Sequence, residues 1–358
     1  MSSIFLHIPH IGEEEKAEVN KALNTGELTC GNYLNQFEKE LSERINSPVV
    51  LCSSGTAALQ LGLHAMGIGP GDEVIVPNMS FVSTINSVLY MGATPVLCDV
   101  GDPEYELSID PEEIIDLITP RTKAIMVSHL CGGYGDIEKI LDIASAYKVD
   151  VIEDAAQAVG CTMNGKALGT FGKFGVYSFN GNKIITTGGG GTLLTSDRGM
   201  SQRVRNLLNQ AKDILNPFSH IEMGYNYRIS NIHAAIGCAQ LKKLDSFIDK
   251  KKFIHETYKK KLDIITYKEK SNYWLNVYKV KKFNPYEAVW NLDYKSIETR
   301  PIYTPFHMMD FLKKYGEDEY PVSEKLYNSL FCLPSYLSLD EEIIDKVVDE
   351  INNLENSE

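Results

Sequence analysis

Between residues 48 and 200, short β-branched apolar runs alternate with stretches of helical periodicity. The runs Val49–Cys52, Glu73–Pro77, Thr94–Val100, Ala124–His129, Val149–Asp154, Val176–Phe179 and Gly191–Thr195 are the strand candidates. Thr56–Met66, Ser83–Met91, Pro111–Ile118 and Ile137–Tyr147 carry the helical pattern between them. Ser53-Ser54-Gly55 can cap the first of these helices, and Asp110 with Pro111 suits the start of the third. Strands and helices in alternation predict an α/β fold, a mostly parallel seven-stranded sheet flanked by helices.

The pattern changes near residue 240. Leu241–Leu262 reads as a long, charged, amphipathic helix, followed by strand-like Tyr273–Val280 and Ser296–Tyr303 and then by helices ending near Leu354. A chain of 358 residues exceeds one simple core, so the expectation is a large domain over 1–240 and a smaller α+β domain over 241–358. The lysine clusters Lys250–Lys252 and Lys259–Lys261 read as a solvated helix face.

Charge narrows the function classes. A net charge of -13 argues against binding nucleic acid through a general electrostatic field. Seven cysteines lie scattered without a CxxC pair, most in apolar runs, and read as reduced core residues with no metal to bind. The N-terminal apolar stretch is broken early by His7 and Pro9, which does not suit a signal peptide, and no run suits a membrane span. The expectation is a soluble cytoplasmic protein.

Candidate chemistry centres on Lys183, set between the apolar run Val176–Phe179 and the glycines Gly188–Gly191. Such an amine can be desolvated, its pKa lowered, and used to carry a cofactor as a Schiff base. Upstream, Val151-Ile-Glu-Asp154 is an apolar strand ending in a carboxylate. Lysine and strand-end aspartate together meet two demands of pyridoxal 5'-phosphate, an amine for its aldehyde and a carboxylate for its ring nitrogen. Gln157 projects from the same turn toward the ring's phenolic oxygen. Gly55 and Thr56, at a helix N-terminus, offer backbone N–H groups to the phosphate, and the Ser178 hydroxyl adds to them. Phe81, at a strand end, supplies a flat apolar cover for the ring.

With those residues in place, the chain resembles the sugar aminotransferases of the DegT/DnrJ/EryC1/StrS family, pyridoxal phosphate enzymes of fold type I. The resemblance rests on Ser53-Ser-Gly-Thr-Ala-Ala-Leu59, Gly69-Pro-Gly-Asp-Glu-Val-Ile75, Glu153-Asp-Ala-Ala-Gln-Ala158, Ser178-Phe-Asn-Gly-Asn-Lys183 and Gly224-Tyr-Asn-Tyr-Arg-Ile-Ser230. It implies that Lys183 and Asp154 are catalytic and that Lys183 moves the proton between cofactor and sugar carbons. It further implies a homodimer in which Asn226 reaches the cofactor phosphate of the neighbouring subunit. Lysine at position 183 separates the chain from related dehydratases, which carry histidine there. Many members have an acidic residue within the glycine run, where this chain has none.

Glu298-Thr-Arg-Pro301 and Cys332-Leu-Pro334 add a similarity to the branch that aminates C4 of nucleotide-linked 4-keto-6-deoxy sugars, with L-glutamate as amino donor. By that resemblance Thr25, Gly26, Glu27 and Leu28 line the sugar-nucleotide site, and Arg228 and His307 are candidates for diphosphate or sugar contacts. Two other readings use the same features, a 3-keto sugar or cyclitol aminotransferase and a non-catalytic sugar-nucleotide sensor.

Overall fold

Residues 3–101, 107–268, 270–316 and 318–356 are described by the structure, a computed structural model. The seven strands expected from the apolar runs all join one sheet. They are β1 (Val49–Cys52), β2 (Glu73–Pro77), β3 (Thr94–Cys98), β4 (Thr122–Ser128) and β5 (Asp150–Asp154). A short hairpin, β6 (Thr162–Met163) and β7 (Lys166–Ala167), intervenes before β8 (Phe174–Ser178) and β9 (Gly191–Leu194). Their order is β1-β9-β8-β5-β4-β2-β3. From β3 to β8 every pairing is parallel, whereas β9 runs antiparallel to both β8 and β1. β1 therefore runs the same way as β8, and every strand but β9 delivers its C-terminal end to one edge of the sheet. In open α/β sheets that edge is where ligands bind.

Alternation along the strands feeds two cores. Val74, Val76, Ala124, Met126, Ile152 and Val176 pack with the helix Gly55–Met66 on one face. Ile75, Ile125, Val127 and Val151 meet the helices Pro111–Leu117 and Ile137–Tyr147 on the other. β3 ends two residues earlier than its apolar run, because Val100 pairs with Ile109 in an isolated bridge.

The charged helix starts at Asn231, ten residues before the expected position, and runs through 240 and 241 to Lys259. Its first half buries Ala234, Ala235, Cys238, Leu241 and Leu244 and packs against the helices Glu13–Thr25 and Asn32–Ile45. Its second half covers a small sheet of β10 (Asn276–Lys279), β11 (Arg300–Pro301) and β12 (Leu330–Leu333), ordered β10-β12-β11. Two of these strands are shorter than their apolar runs. Tyr273 (φ 50°) and Ser296 (φ 62°) adopt left-handed backbone, which extended pairing does not tolerate.

One lysine departs from the expected solvated face. Lys251 lies on the helix stripe of Leu244, Phe247, Ile254 and Tyr258, is buried, and donates to the carbonyl oxygens of Trp274 (2.9 Å) and Ser335. Burial lowers its pKa to about 7. All seven cysteines are free, and only Cys30 is exposed. Among the described residues, no helix is long and apolar enough to cross a membrane, and no group of three His, Cys, Asp or Glu could hold a metal ion.

Candidate active site

The C-terminal ends of β1, β5 and β8 border a cavity of about 300 Å³. Gly55, Thr56, Phe81, Asp154, Gln157, Ser178 and Lys183 all line it. Seven residues scattered over some 130 positions of sequence thus converge on one space.

Lys183 sits in the loop that joins β8 to β9. Phe179 N donates to Gly190 O (2.9 Å) and Thr187 N to Phe179 O (2.9 Å), which closes the neck of that loop. The amine lies 4.3 Å from the centre of the Trp274 ring, whose indole N–H donates to Asn182 O (2.8 Å). Loss of water lowers the Lys183 pKa to about 8; Asp154 opposes the shift and Arg300 adds to it.

Asp154 ends β5 and is buried. Thr84 Oγ1 donates to its Oδ2 (2.7 Å), and the Ser80 hydroxyl lies 2.9 Å from both Thr84 Oγ1 and Ser128 Oγ. Burial raises the Asp154 carboxyl above the usual range, and the bonds from Thr84 and Ala156 and the charge of Lys183 pull it back. Its neighbour Glu153 points away from the cavity and serves the scaffold. It accepts from the backbone N–H groups of Gly169, Phe171 and Gly172 at 2.6–2.8 Å and meets His129 Nε2 at 3.0 Å.

At the other end of the cavity Ser54 caps the helix Gly55–Met66, its hydroxyl accepting from Ala57 N at 3.0 Å. The first N–H groups of a helix have no intrahelical acceptor, so those of Gly55 and Thr56 remain for an anion. Gly191 makes the close approach to this turn. A Cβ there would fall 2.4 Å from the Ser54 carbonyl carbon.

Gln157 accepts from Cys131 N (2.7 Å) and donates to the Tyr303 hydroxyl (3.0 Å), which leaves one amide hydrogen for a ligand. Phe81 is 52% exposed, with its ring edge-on to Tyr303 at 6.3 Å. Trp274, Arg300 and Tyr303 line the cavity too, although no periodic or spacing signal marks them. Of the three, only Arg300 falls in a motif quoted from the sequence, Glu298-Thr-Arg-Pro301, which assigned it no role in the cavity.

Other candidates lie outside the lining of this cavity. Asn226 is exposed and bridges Asn209, although the next residue's carbonyl accepts from Ser53 N at 2.7 Å. Arg228 is exposed. Thr25, Gly26, Glu27 and Leu28 form the end of the helix Glu13–Thr25, with the carbonyls of Glu27 and Leu28 held by Asn231 at 2.7 and 3.0 Å. His307 is packed between Asn78 (2.8 Å) and Glu324 (3.2 Å), with its ring stacked on Tyr320 at 4.8 Å. Both of its ring nitrogens are engaged there.

A buried lysine of lowered pKa, a buried carboxylate, an open helix N-terminus and a flat ring fit pyridoxal phosphate. Comparison with known proteins points the same way. GDP-perosamine synthase of Escherichia coli O157:H7 is 37% identical, over 98% of each chain. A putative pyridoxal phosphate-dependent aminotransferase of Bacillus subtilis, EpsN, is 35% identical over 98% of this chain and 95% of its own. The aminotransferase TlmJ of Streptoalloteichus hindustanus superposes with a TM-score of 0.92 at 29% identity, over 98% of each chain. The profile of one family covers residues 9–352, nearly the whole length over which the cavity is assembled, and the chain belongs to that family, the DegT/DnrJ/EryC1/StrS aminotransferases.

Proposed function

We propose that the protein transfers an amino group from L-glutamate to C4 of a nucleotide-linked 4-keto-6-deoxyhexose, giving the 4-amino-4,6-dideoxy sugar. The observation that carries this is the convergence of Lys183 and Asp154 on one cavity beside the helix N-terminus at Gly55. GDP is the nucleotide to test first, because GDP-perosamine synthase is the relative named above.

Pyridoxal phosphate, when bound, supplies an aldehyde that takes and returns an amino group and a ring that accepts the electrons of a breaking C–H bond. The protein does the rest. The Gly55 and Thr56 amides and the Ser178 hydroxyl hold the phosphate, and Phe81 covers the ring. Asp154, anchored by Thr84, keeps the ring nitrogen protonated. Lys183 Nζ takes the proton from the donor carbon and returns one to C4 of the sugar. Its lowered pKa suits both directions near neutrality.

Two copies of the chain would complete each active site. An exposed apolar segment supports that arrangement: Ile214, Leu215 and Phe218, eight to twelve residues before Asn226, are 89–94% exposed. A second copy would cover them and bring Asn226 to the neighbouring phosphate. Within each copy, residues 1–240 would carry the cofactor groups and residues 241–358 would close over them with Trp274, Arg300 and Tyr303.

Incubation with L-glutamate and a panel of 4-keto and 3-keto sugar nucleotides, read by mass spectrometry, tests the proposal. The expected product is the 4-amino sugar, and a 3-amino product would overturn the assignment. Lys183→Ala should lower turnover by more than about 10⁴-fold, beyond ordinary acid–base loss, because the cofactor's covalent anchor goes too.

A further inference from the structure

Trp274 is 2% exposed and yet borders the cavity. Four separate parts of the chain fix it. Its indole N–H donates to Asn182 O (2.8 Å), its backbone N–H to Asn272 Oδ1 (3.0 Å), and its carbonyl accepts from the buried Lys251 (2.9 Å). The His7 ring stacks on the indole, with 5.1 Å between centres and 15° between planes. Burial lowers the His7 pKa to about 2, with the charges of Lys251, Arg300 and Lys183 adding to the shift, so that ring is neutral at any working pH.

A side chain held so firmly can position another. The Lys183 amine lies 4.3 Å from the indole centre, and among the described residues it has no hydrogen-bond or ion-pair partner. The titratable groups that act on it from longer range are Asp154 on β5, Cys131 after β4, Arg300 on β11 and His7. A second space bordering Lys183, lined by His7, His10, Gln240 and Lys251 among others, measures about 10 Å³, room for about one water. The amine thus has the large cavity before it and little room to retreat. It has to be bonded to the cofactor at one stage and free as a base at the next. A carboxylate in contact would keep it an ammonium, and a buried ion pair is costly to separate. A ring face attracts the ammonium through its quadrupole and leaves the lone pair of the neutral amine unengaged.

We propose that Trp274 is a positioning residue for Lys183, its indole face being where the amine rests whenever it is not bonded to the cofactor. The inference deepens the proposed function and rests on it for the proton-carrying role of Lys183. Trp274 makes and breaks no bond. It acts through Lys183 alone, keeping the freed amine at the edge of the cavity where the proton is moved.

The first test needs no turnover. The chain has two tryptophans, and the other, Trp290, is 77% exposed. In cofactor-free protein labelled with 5-fluorotryptophan, Trp290→Phe assigns the two fluorine signals. The Trp274 signal should shift as pH passes about 8, the Lys183 value, and Lys183→Met should abolish that step. Lys251 bonds the Trp274 backbone and has a pKa near 7, so a step that survives Lys183→Met belongs to Lys251 and would overturn the contact, as would no step at all. The second test uses the cofactor-loaded enzyme and L-glutamate. Trp274→Leu should slow the absorbance change about 10- to 100-fold while the apparent Kd for glutamate stays within about threefold. Trp274→Phe, which keeps a ring face, should recover most of that rate. Without a ring face the ammonium form loses support, so the pH break of cofactor capture should fall by about one unit in Trp274→Leu and by less in Trp274→Phe. A capture break that stays in place, or a loss that falls on glutamate binding and spares the rate, would reduce Trp274 to packing and overturn the proposal. Should Trp274→Leu fail to fold, the fluorine titration still decides. A protein that shows the Lys183 step but transfers no amino group would sink the proposed function and leave the contact standing.

Discussion

Lys183 and Asp154 act on one another through charge, and that coupling has a measurable pH signature. An amine attacks an aldehyde only when unprotonated. With its pKa lowered to about 8 by burial, Lys183 gains reactive form as pH rises through that value and no further above it. The rate at which cofactor-free protein captures pyridoxal phosphate should therefore climb about tenfold per pH unit below 8 and level off above. Asp154 favours the ammonium form, so Asp154→Asn should move the break to lower pH. Stopped-flow absorbance checks both, and a rate still climbing at the ordinary lysine value would show that the amine is not desolvated. Both residues were legible because each lies on a local pattern, a strand end or a glycine loop. Trp274 and Tyr303 were not, since they reach the cavity from more than 90 positions away and share no period with it, and Arg300 was marked by a motif that said nothing of the cavity.

Elements place those side chains, and the join between β9 and the helix Gly55–Met66 has little slack. Gly191 opens β9 opposite Cys52, and a methyl group there would fall 2.4 Å from the Ser54 carbonyl carbon. Backbone cannot yield as a side-chain tip does, so Gly191→Ala should push the helix N-terminus out of its position at the phosphate. The expected result is at least about tenfold weaker cofactor retention by equilibrium dialysis, together with a stability loss of about 1–3 kcal/mol from overpacking. Retention equal to wild type would mean that the turn is free to shift. The strand pattern was legible because every main-sheet strand is buried on both faces or nearly so, and apolar runs record that directly. The long helix was misplaced at its start for the same reason in reverse. Its apolar first half is buried against two other helices and shows no charged face, so charge marked only the second half.

At the scale of the whole molecule, the proposed shared site calls on residues that stand apart in a single chain. Lys183 and Asp154 line the cavity, while Asn226, Arg228 and Thr25–Leu28 stand outside its lining at the surface. The segment before Asn226 exposes Ile214, Leu215 and Phe218 almost fully, apolar area that water does not favour. If a second copy covers that segment and lends Asn226, each active site draws Lys183 from one subunit and Asn226 from the other. Complementation then distinguishes shared from self-contained sites. Lys183→Ala and Asn226→Ala protomers, unfolded together and refolded as a mixture, would form mixed dimers with one site lacking both groups and the other intact. Random pairing should restore about a quarter of the wild-type sites, lifting activity above the mean of the two parent variants. Self-contained sites would give that mean and nothing more, because Lys183 and Asn226 would then never be rejoined. Light scattering on the same mixture fixes the subunit number, so a rise in activity from a monomer would equally defeat the shared-site account.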